Sequence, residues 1–366
     1  MSDVLIIGAG IIGAACAWRL SQAGLSVRVL DRAAPGGQAS QAALGVLTFH
    51  GRPDTMPKAL RVLALKSSYF FPAVIEELQE AVGERVHFRQ EGQLFLAMND
   101  GDLPSLEETL NVNREEGAAL ERISIEEALR MEPNLNPEIA GALYAPNDAW
   151  VDNTALTQAF VRAAQLAGAI FEQADVTAVE NGGGRVTGVR SGENRYEADW
   201  VVLSAGAWSG QFQGVPGVRI HPRRGQAYSV EGSYFQRVVH SPRGYIVPRG
   251  DTQTMLGATV EDVGFDVTNT PRGLGSVSKG AFELSPKLET STFAGAWAGL
   301  RPGTPDDLPL IGPSAGRPNL IIATGHFRNG ILLAPITADL VRQLVVGETP
   351  GLDLRPYSPD RASLKV

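Results

Sequence analysis

Val4-Leu5-Ile6-Ile7-Gly8-Ala9-Gly10-Ile11-Ile12-Gly13 is the stretch that decides the fold. Its uninterrupted apolar start has the pattern of a central parallel strand covered on both faces, and it runs straight into G-x-G-x-x-G. Gly8 permits a tight turn, Gly10 lets the backbone approach a pyrophosphate, and Gly13 lets the next helix pack closely on the sheet. The N-terminus of that helix offers unpaired N–H groups and a partial positive charge to an anion. The helix is expected to run to about Ala23 with Gly24 as its C-cap, followed by the strand Val27-Arg28-Val29-Leu30. Asp31 then stands where it can accept hydrogen bonds from an adenosine ribose. Glycine-rich turns are common, but strand, glycines, helix, second strand and terminal acid in this order specify a dinucleotide site. Asp31 would repel a 2′-phosphate, which argues against NADP, while the motif leaves FAD and NAD open.

The chain has 366 residues, too many for one ordinary core, and its glycines and prolines are spread throughout rather than gathered in a linker. Two intertwined domains therefore fit better than two beads. A net charge of -8 opposes phosphate backbones and anionic lipid surfaces, so nucleic acid is excluded as a partner. Cys16 is the single cysteine, which rules out an internal disulfide and a cysteine metal cage and suits a reducing cytoplasm; it reads as core packing. The uncharged stretch 4–18 falls short of the ~20 residues of a membrane span. Asp3 precedes it where a signal peptide carries basic residues. Asp339 and Arg342 interrupt the apolar stretch 330–346, which suits an amphipathic or half-buried helix. No membrane anchor is expected, and association into a homo-oligomer stays open.

Beyond Asp31 comes Pro35-Gly36-Gly37-Gln38-Ala39-Ser40-Gln41-Ala42-Ala43-Leu44-Gly45-Val46-Leu47, a run of small residues that lets backbone lie against a flat ring. Together with Gly206-Ala207-Trp208, Gly299-Leu300-Arg301-Pro302-Gly303-Thr304 and Gly325-His326-Phe327-Arg328-Asn329-Gly330, it resembles the D-amino acid oxidase family of flavoproteins, its glycine oxidase members above all. The likeness covers essentially the whole chain, and the two C-terminal motifs are its most specific part. It implies an α/β fold with a Rossmann-type FAD-binding domain assembled from 1–80, 145–215 and 296–366. An antiparallel-sheet substrate cap would come from 81–144 and 216–295. In agreement, 176–180, 185–190 and 200–203 read as strands, with Gly182-Gly183-Gly184 as a hairpin turn; 244–248 and 254–259 read as a second hairpin.

The resemblance also implies how FAD is held. Gly8, Gly10, Ile11, Ile12 and Gly13 would form the glycine loop, and Asp31 and Arg32 would follow the second strand. Ser40, Ala42, Ala43, Gly45 and Val46 would come from the small-residue run, with Ala43 and Gly45 lining the flavin. Val176 would meet the adenine through its backbone, near Ala205, Gly206 and Trp208. Arg301, His326, Arg328, Asn329, Gly330, Ile331 and Leu332 complete the set. Some relatives attach FAD covalently through a histidine just before the small-residue run or a C-terminal cysteine. Here Gln41 stands at the first place and the second is absent, so noncovalent FAD is expected. Asp31 replaces the glutamate of many relatives and reaches one methylene less far.

Oxidising an amino acid at a flavin needs little acid–base machinery, so the protein must mainly orient its substrate. A guanidinium fork holds a carboxylate best, and Arg301 matches the family's carboxylate anchor; the alternative is an ion pair with Asp306 or Asp307. Tyr245 resembles the family's pocket tyrosine, although a strand tyrosine also serves ordinary packing. Arg328 either closes the pocket or pairs elsewhere. Val260 and Gly244 replace larger or polar side chains and would leave the pocket roomier than glycine requires. The helix opened by Gly330, with Pro335 near its start, would turn its N-terminus toward negative charge gathering on a reduced flavin.

Other motifs fall away. Gly312-Pro313-Ser314-Ala315-Gly316 matches a nucleophile elbow, but Arg317-Pro318 and a strand-like run follow instead of a helix, so it reads as a loop. His50, His87, His221, His240 and His326 are too scattered for a local metal motif, and no metal is expected. Arg223-Arg224 reads as a solvated or ion-paired turn. The leading expectation is an oxidase turning glycine, sarcosine or a small D-amino acid or amine into its imine while oxygen becomes hydrogen peroxide. By the same resemblance its product would feed thiamine thiazole synthesis. A dehydrogenase serving a quinone or protein acceptor is the alternative, and a flavin redox sensor the third reading, disfavoured by Arg301 and Tyr245.

Overall fold

The apolar opening forms the strand Ser2–Ile7, with Val27–Asp31 parallel on one side and Asn194–Leu203 parallel on the other. A strand covered on both faces has no solvent side toward which to alternate, hence its continuous apolar reading. The computed structural model describes residues 2–49, 56–215 and 217–364, so His50 lies outside the described residues. Arg317–Thr324 extends the parallel sheet beyond Asn194–Leu203, and Ile170–Gln173 extends it beyond Val27–Asp31. Ile7 is opposite both Leu30 and Leu203, and Leu203 is opposite Ile322. The strands' carboxyl ends are therefore level, at the edge where open parallel sheets bind ligands.

The helix Ile11–Gln22 leaves the glycine turn, ends at Ala23 and is followed by Gly24 at φ +82°. It shares one core with Lys58–Val82, Asn153–Leu166 and Gly330–Val346, with Trp18 against Phe160 at 5.7 Å between ring centroids. Cys16 is buried in that core, and burial pushes its thiol up to about 12, so it is a packing residue. Pro335 stands inside the last helix rather than in its first turn, where it removes the N–H that would meet the carbonyl of Ile331.

The second sheet runs in the order Phe293–Gly303, His221–Glu231, Gln253–Gly257, Gly244–Arg249, Val238–Ser241, Gln93–Ala97, Gly141–Ala145, Glu121–Ile123. It is antiparallel except where Val238–Ser241 runs beside Gln93–Ala97. The expected boundary at 296 falls inside Phe293–Gly303, which pairs with His221–Glu231 down to Gly303 opposite His221. The second sheet therefore reaches into the segment assigned to the first domain.

Several local expectations change. The strand expected from Val176 begins at Ala178, although the Gly183 and Gly184 turn to Arg185–Ser191 is present, both glycines having positive φ. The strand expected through Thr259 stops at Gly257. Gly312, Pro313 and Ser314 are not a loop: they end the strand Leu310–Ser314, which turns through Ala315 and Gly316 into Arg317–Thr324. Arg223 and Arg224 lie within a strand, not a turn. Arg224 is buried and ion-paired to Glu261 and Asp266, while the more exposed Arg223 faces Asp262. Among the described residues, no helix is long and apolar enough to cross a membrane.

Candidate active site

Between the carboxyl ends of the parallel strands and the second sheet lies a cavity of about 500 Å³, inside the range of roughly 300–1,000 Å³ usual for small-molecule and cofactor sites. Gly8, at φ +104°, borders it; a Cβ there would sit 2.5 Å from the carbonyl oxygen of Ser204. Gly13 is outside the lining because its task is packing: a Cβ on it would be 1.9 Å from the oxygen of Gly8. Gly10 meets only Ser40 Oγ, at 3.3 Å from a built Cβ, which leaves its backbone open to the cavity. Ser40 Oγ accepts the N–H of Ile11, the first residue of the helix, at 2.9 Å. Asp31 lines the cavity while accepting N–H groups from Ala9 at 2.7 Å and Ala33 at 2.9 Å. The acid thus ties the second strand to the glycine loop and keeps further lone pairs for a ligand hydroxyl.

Ile11, Ile12, Arg32, Ala42, Ala43, Gly45, Val46, Val176, Ala205, Gly206, Trp208, His326, Gly330 and Ile331 also line the cavity. Asn329 and Leu332 do not: Asn329 occupies the N-cap position without a side-chain cap bond, and Leu332 is buried in the helical core. Small residues in the run after Ser40 are demanded by neighbouring strands as well as by the cavity. A Cβ on Gly45 would lie 1.9 Å from Val151 O, and one on Gly299 2.3 Å from the Cβ of Ala42. Arg32 lies 4.1 Å over the Trp208 ring, which stands 5.6 Å from Phe265. His326 is buried, its Nε2 3.1 Å from Thr337 Oγ1, and burial pushes it down to about 3, so the ring is neutral. Phe327 adopts φ +49°, an uncommon conformation for an aromatic residue, and its N–H is tied to Pro302 O at 2.9 Å. The helix Gly330–Val346 presents Gly330 and Ile331 to the cavity with no side-chain cap.

At the other end, Arg301, Tyr245 and Arg328 all border the cavity. The guanidinium of Arg301 donates from Nη1 to the carbonyl of Thr259 at 2.9 Å. Asp306 is not its partner, because Arg361 takes that carboxylate through Nε at 2.7 Å and Nη2 at 2.6 Å. Among the described residues no carboxylate forms an ion pair with Arg301, which lines the cavity with donors not taken by an internal anion. Arg328 is exposed at the rim, 5.0 Å from the ring of Phe327. Val260 and Gly244, expected to widen the pocket, border no part of it: Val260 is on the surface and Gly244 faces the backbone of Gly257.

Sequence reading missed a polar group beside Tyr245. Gln93 Nε2 donates to Ala149 O at 2.7 Å and Leu47 O at 3.3 Å, which fixes its amide and aims Oε1 at His240 Nε2, 2.8 Å away. His240 therefore carries its proton on Nε2, and burial pushes it down to about 4. Its ring lies between Phe95 at 5.0 Å and Tyr245 at 5.7 Å. No motif flags that group. Gly225, also missed, had a signal: glycine inside a strand marks close approach. Gly225 makes room for Arg301, since a Cβ there would fall 2.3 Å from Nη1.

A glycine turn with no room for a Cβ at Gly8 or Gly13, the N-terminus of Gly330–Val346 without a side-chain cap and an acid at the end of the second strand fit a dinucleotide such as FAD. Residues 3–344 match the DAO family, FAD dependent oxidoreductase. A glycine oxidase of Pseudomonas aeruginosa is 34% identical over 362 residues, covering 97% of this chain and 98% of that protein. A bifunctional protein ThiO/ThiG of Trichormus variabilis is 34% identical over 351 residues, covering 94% of this chain and 52% of that protein. The crystal structure of glycine oxidase from Geobacillus kaustophilus superposes with a TM-score of 0.93 at 32% identity, covering 98% of both chains.

Proposed function

The chain belongs to the DAO family of FAD dependent oxidoreductases, and from that premise we propose that it oxidises small amino acids, glycine and sarcosine first, to their imines with oxygen as electron acceptor. Arg301 carries the reading: it borders the cavity, its donors are not consumed by an internal carboxylate, and a guanidinium fork matches the carboxylate of an amino acid. Bound FAD supplies the two-electron oxidation and the transfer to oxygen. Arg301 binds the carboxylate, and Tyr245, on the adjoining face, orients the amine end against the second sheet. His326, neutral at the cavity wall, places no positive charge against the cation that hydride removal from the amine creates. The N-terminus of Gly330–Val346 offers amides and dipole to negative charge developing beside it. FAD binding by Gly8, Gly10, Ser40, Asp31 and the C-terminal motif is noncovalent in this reading.

The imine is a reactive carbon–nitrogen fragment of the kind a thiazole-forming step consumes, and the bifunctional relative supports a place in thiamine thiazole synthesis. The single buried thiol accords with a cytoplasmic enzyme. The decisive experiment mixes purified protein anaerobically with glycine, sarcosine, D-alanine, L-alanine and methylamine, and then admits air. Small amino acids should bleach the flavin, and air should restore its colour with stoichiometric peroxide. Bleaching by none of them would overturn the substrate class; bleaching without recovery in air would make the protein a dehydrogenase.

A further inference from the structure

The guanidinium of Arg301 crosses diagonally from its own strand, where it is opposite Arg223, to lie over Gly225. A Cβ at Gly225 would stand 2.3 Å from Nη1 and 2.4 Å from both Cζ and Nη2, closer than real carbon contacts allow. Only an unsubstituted position admits this path. The other constraint is the carbonyl of Thr259, which accepts Nη1 at 2.9 Å from an irregular segment after the strand Gln253–Gly257.

A carbonyl outside a ladder aims well only if something else holds its segment. Thr259 Oγ1 accepts the N–H of Gln226 at 2.9 Å and donates to Glu261 Oε1 at 2.5 Å. Glu261 Oε1 also accepts Gln226 Nε2 at 2.7 Å, and its Oε2 accepts Arg224 Nη2 at 2.6 Å. Arg224 is 3% exposed and closes the set by pairing with Asp266. Its backbone exchanges both N–H bonds with Glu261 at 2.9 Å. Arg224 is the buried charge of the set, Glu261 and Asp266 are partly exposed, and one Arg224 donor, Nε, has no partner; an apolar contact would join the two segments as well. What the polar set adds is a single register for residues 259–261, and hence one direction for the Thr259 carbonyl.

We propose that Gly225, Thr259 and the Arg224–Glu261 pair form a positioning unit that aims Arg301, making the site selective for amines that bear a carboxylate. This rests on the reading of Arg301 as the carboxylate anchor. None of the four touches the carboxylate in this scheme; they act through Arg301.

The probe is glycolate, a substrate-shaped carboxylate without an amine, titrated into flavin-loaded protein and followed by the perturbation of the flavin spectrum. Gly225→Ala and Thr259→Val should each raise its Kd ~10-fold, the equivalent of one well-made hydrogen bond. Thr259→Ser, which restores the hydroxyl, should stay within about twofold of the parent. Flavin content should not change, and kcat/KM for glycine should fall through KM more than that for methylamine. Arg301→Ala runs in parallel. If it raises the glycolate Kd while Thr259→Val and Gly225→Ala leave it at the parent value, the positioning unit is wrong and the anchor stands. If Arg301→Ala leaves glycolate binding intact, the anchor is wrong and the unit falls with it. Should Gly225→Ala fail to fold, Thr259→Val against Thr259→Ser decides alone; equal binding by that pair would overturn the proposal.

Discussion

At the dinucleotide end of the cavity, Gly8, Gly10 and Ile11 lie within one short stretch, and what they present is mostly backbone. At the end proposed for the substrate, Tyr245 and Arg301 come from different strands and Thr259 from the irregular segment after a third, and what matters is where their side chains or freed carbonyls point. A backbone site tolerates changes that preserve its turn but not the arrival of a Cβ. A side-chain site tolerates local bulk but not the loss of its aiming contacts. The two ends should therefore fail in different ways.

The largest failure is expected at the backbone end. Gly10→Val puts a branched side chain where the open Gly10 backbone faces the cavity, and the purified protein should be folded but colourless. Absorbance in the flavin band checks it, and a stoichiometrically flavinated variant would remove the cofactor assignment. In the parent, acid precipitation should release all the flavin into the supernatant as FAD; colour in the pellet would show a covalent link. Next comes Arg301→Ala, which should keep FAD and Tm but cut kcat/KM for an amino acid at least ~100-fold, the scale of losing a buried charge-assisted pair. Methylamine already lacks the carboxylate and should lose much less. Equal losses on both substrates would refute the anchor and blur the contrast between the two ends.

Smaller effects sharpen the picture. Tyr245→Phe should lower kcat/KM by about threefold to tenfold, one hydrogen bond's worth, with flavin retained. No change would assign Tyr245 to packing beside His240. The smallest effect is on stability against pH. His240 is held down at about 4 from the ordinary 6.5, so as pH falls below 6.5 the unfolded chain takes up a proton first. Its burial therefore supports the fold above pH 6.5 and loses that support progressively between 6.5 and 4. Tm of the parent should decline across that window more steeply than Tm of His240→Gln. Asp306, lowered to about 2 beside Arg361, loses its contribution only below its ordinary 3.8, so the two windows separate. Parallel Tm curves would contradict the neutral, buried imidazole.

Legibility divided along the same line. The strand, glycine turn, helix and Asp31 were readable because each is imposed by neighbours a few residues away, and the Gly183 and Gly184 turn was readable for the same reason. Arg301 was readable as a candidate, but its freedom from Asp306 was not, since that depends on Arg361 reaching back across 55 residues. The pairing of Arg224 was invisible in a basic dipeptide, and Val260 was misplaced because exposure is a property of the packed chain.

Sequence by itself determined that a parallel strand feeds a glycine turn and a helix N-terminus, because φ freedom, apolar run and spacing are local quantities. Tertiary structure alone decided that Phe293–Gly303 joins the second sheet, and that Gly225 leaves its space to Arg301. It also decided that the Thr259 carbonyl holds that guanidinium. Those outcomes depend on register between strands far apart in the chain, and a shift of one residue would turn each side chain to the opposite face.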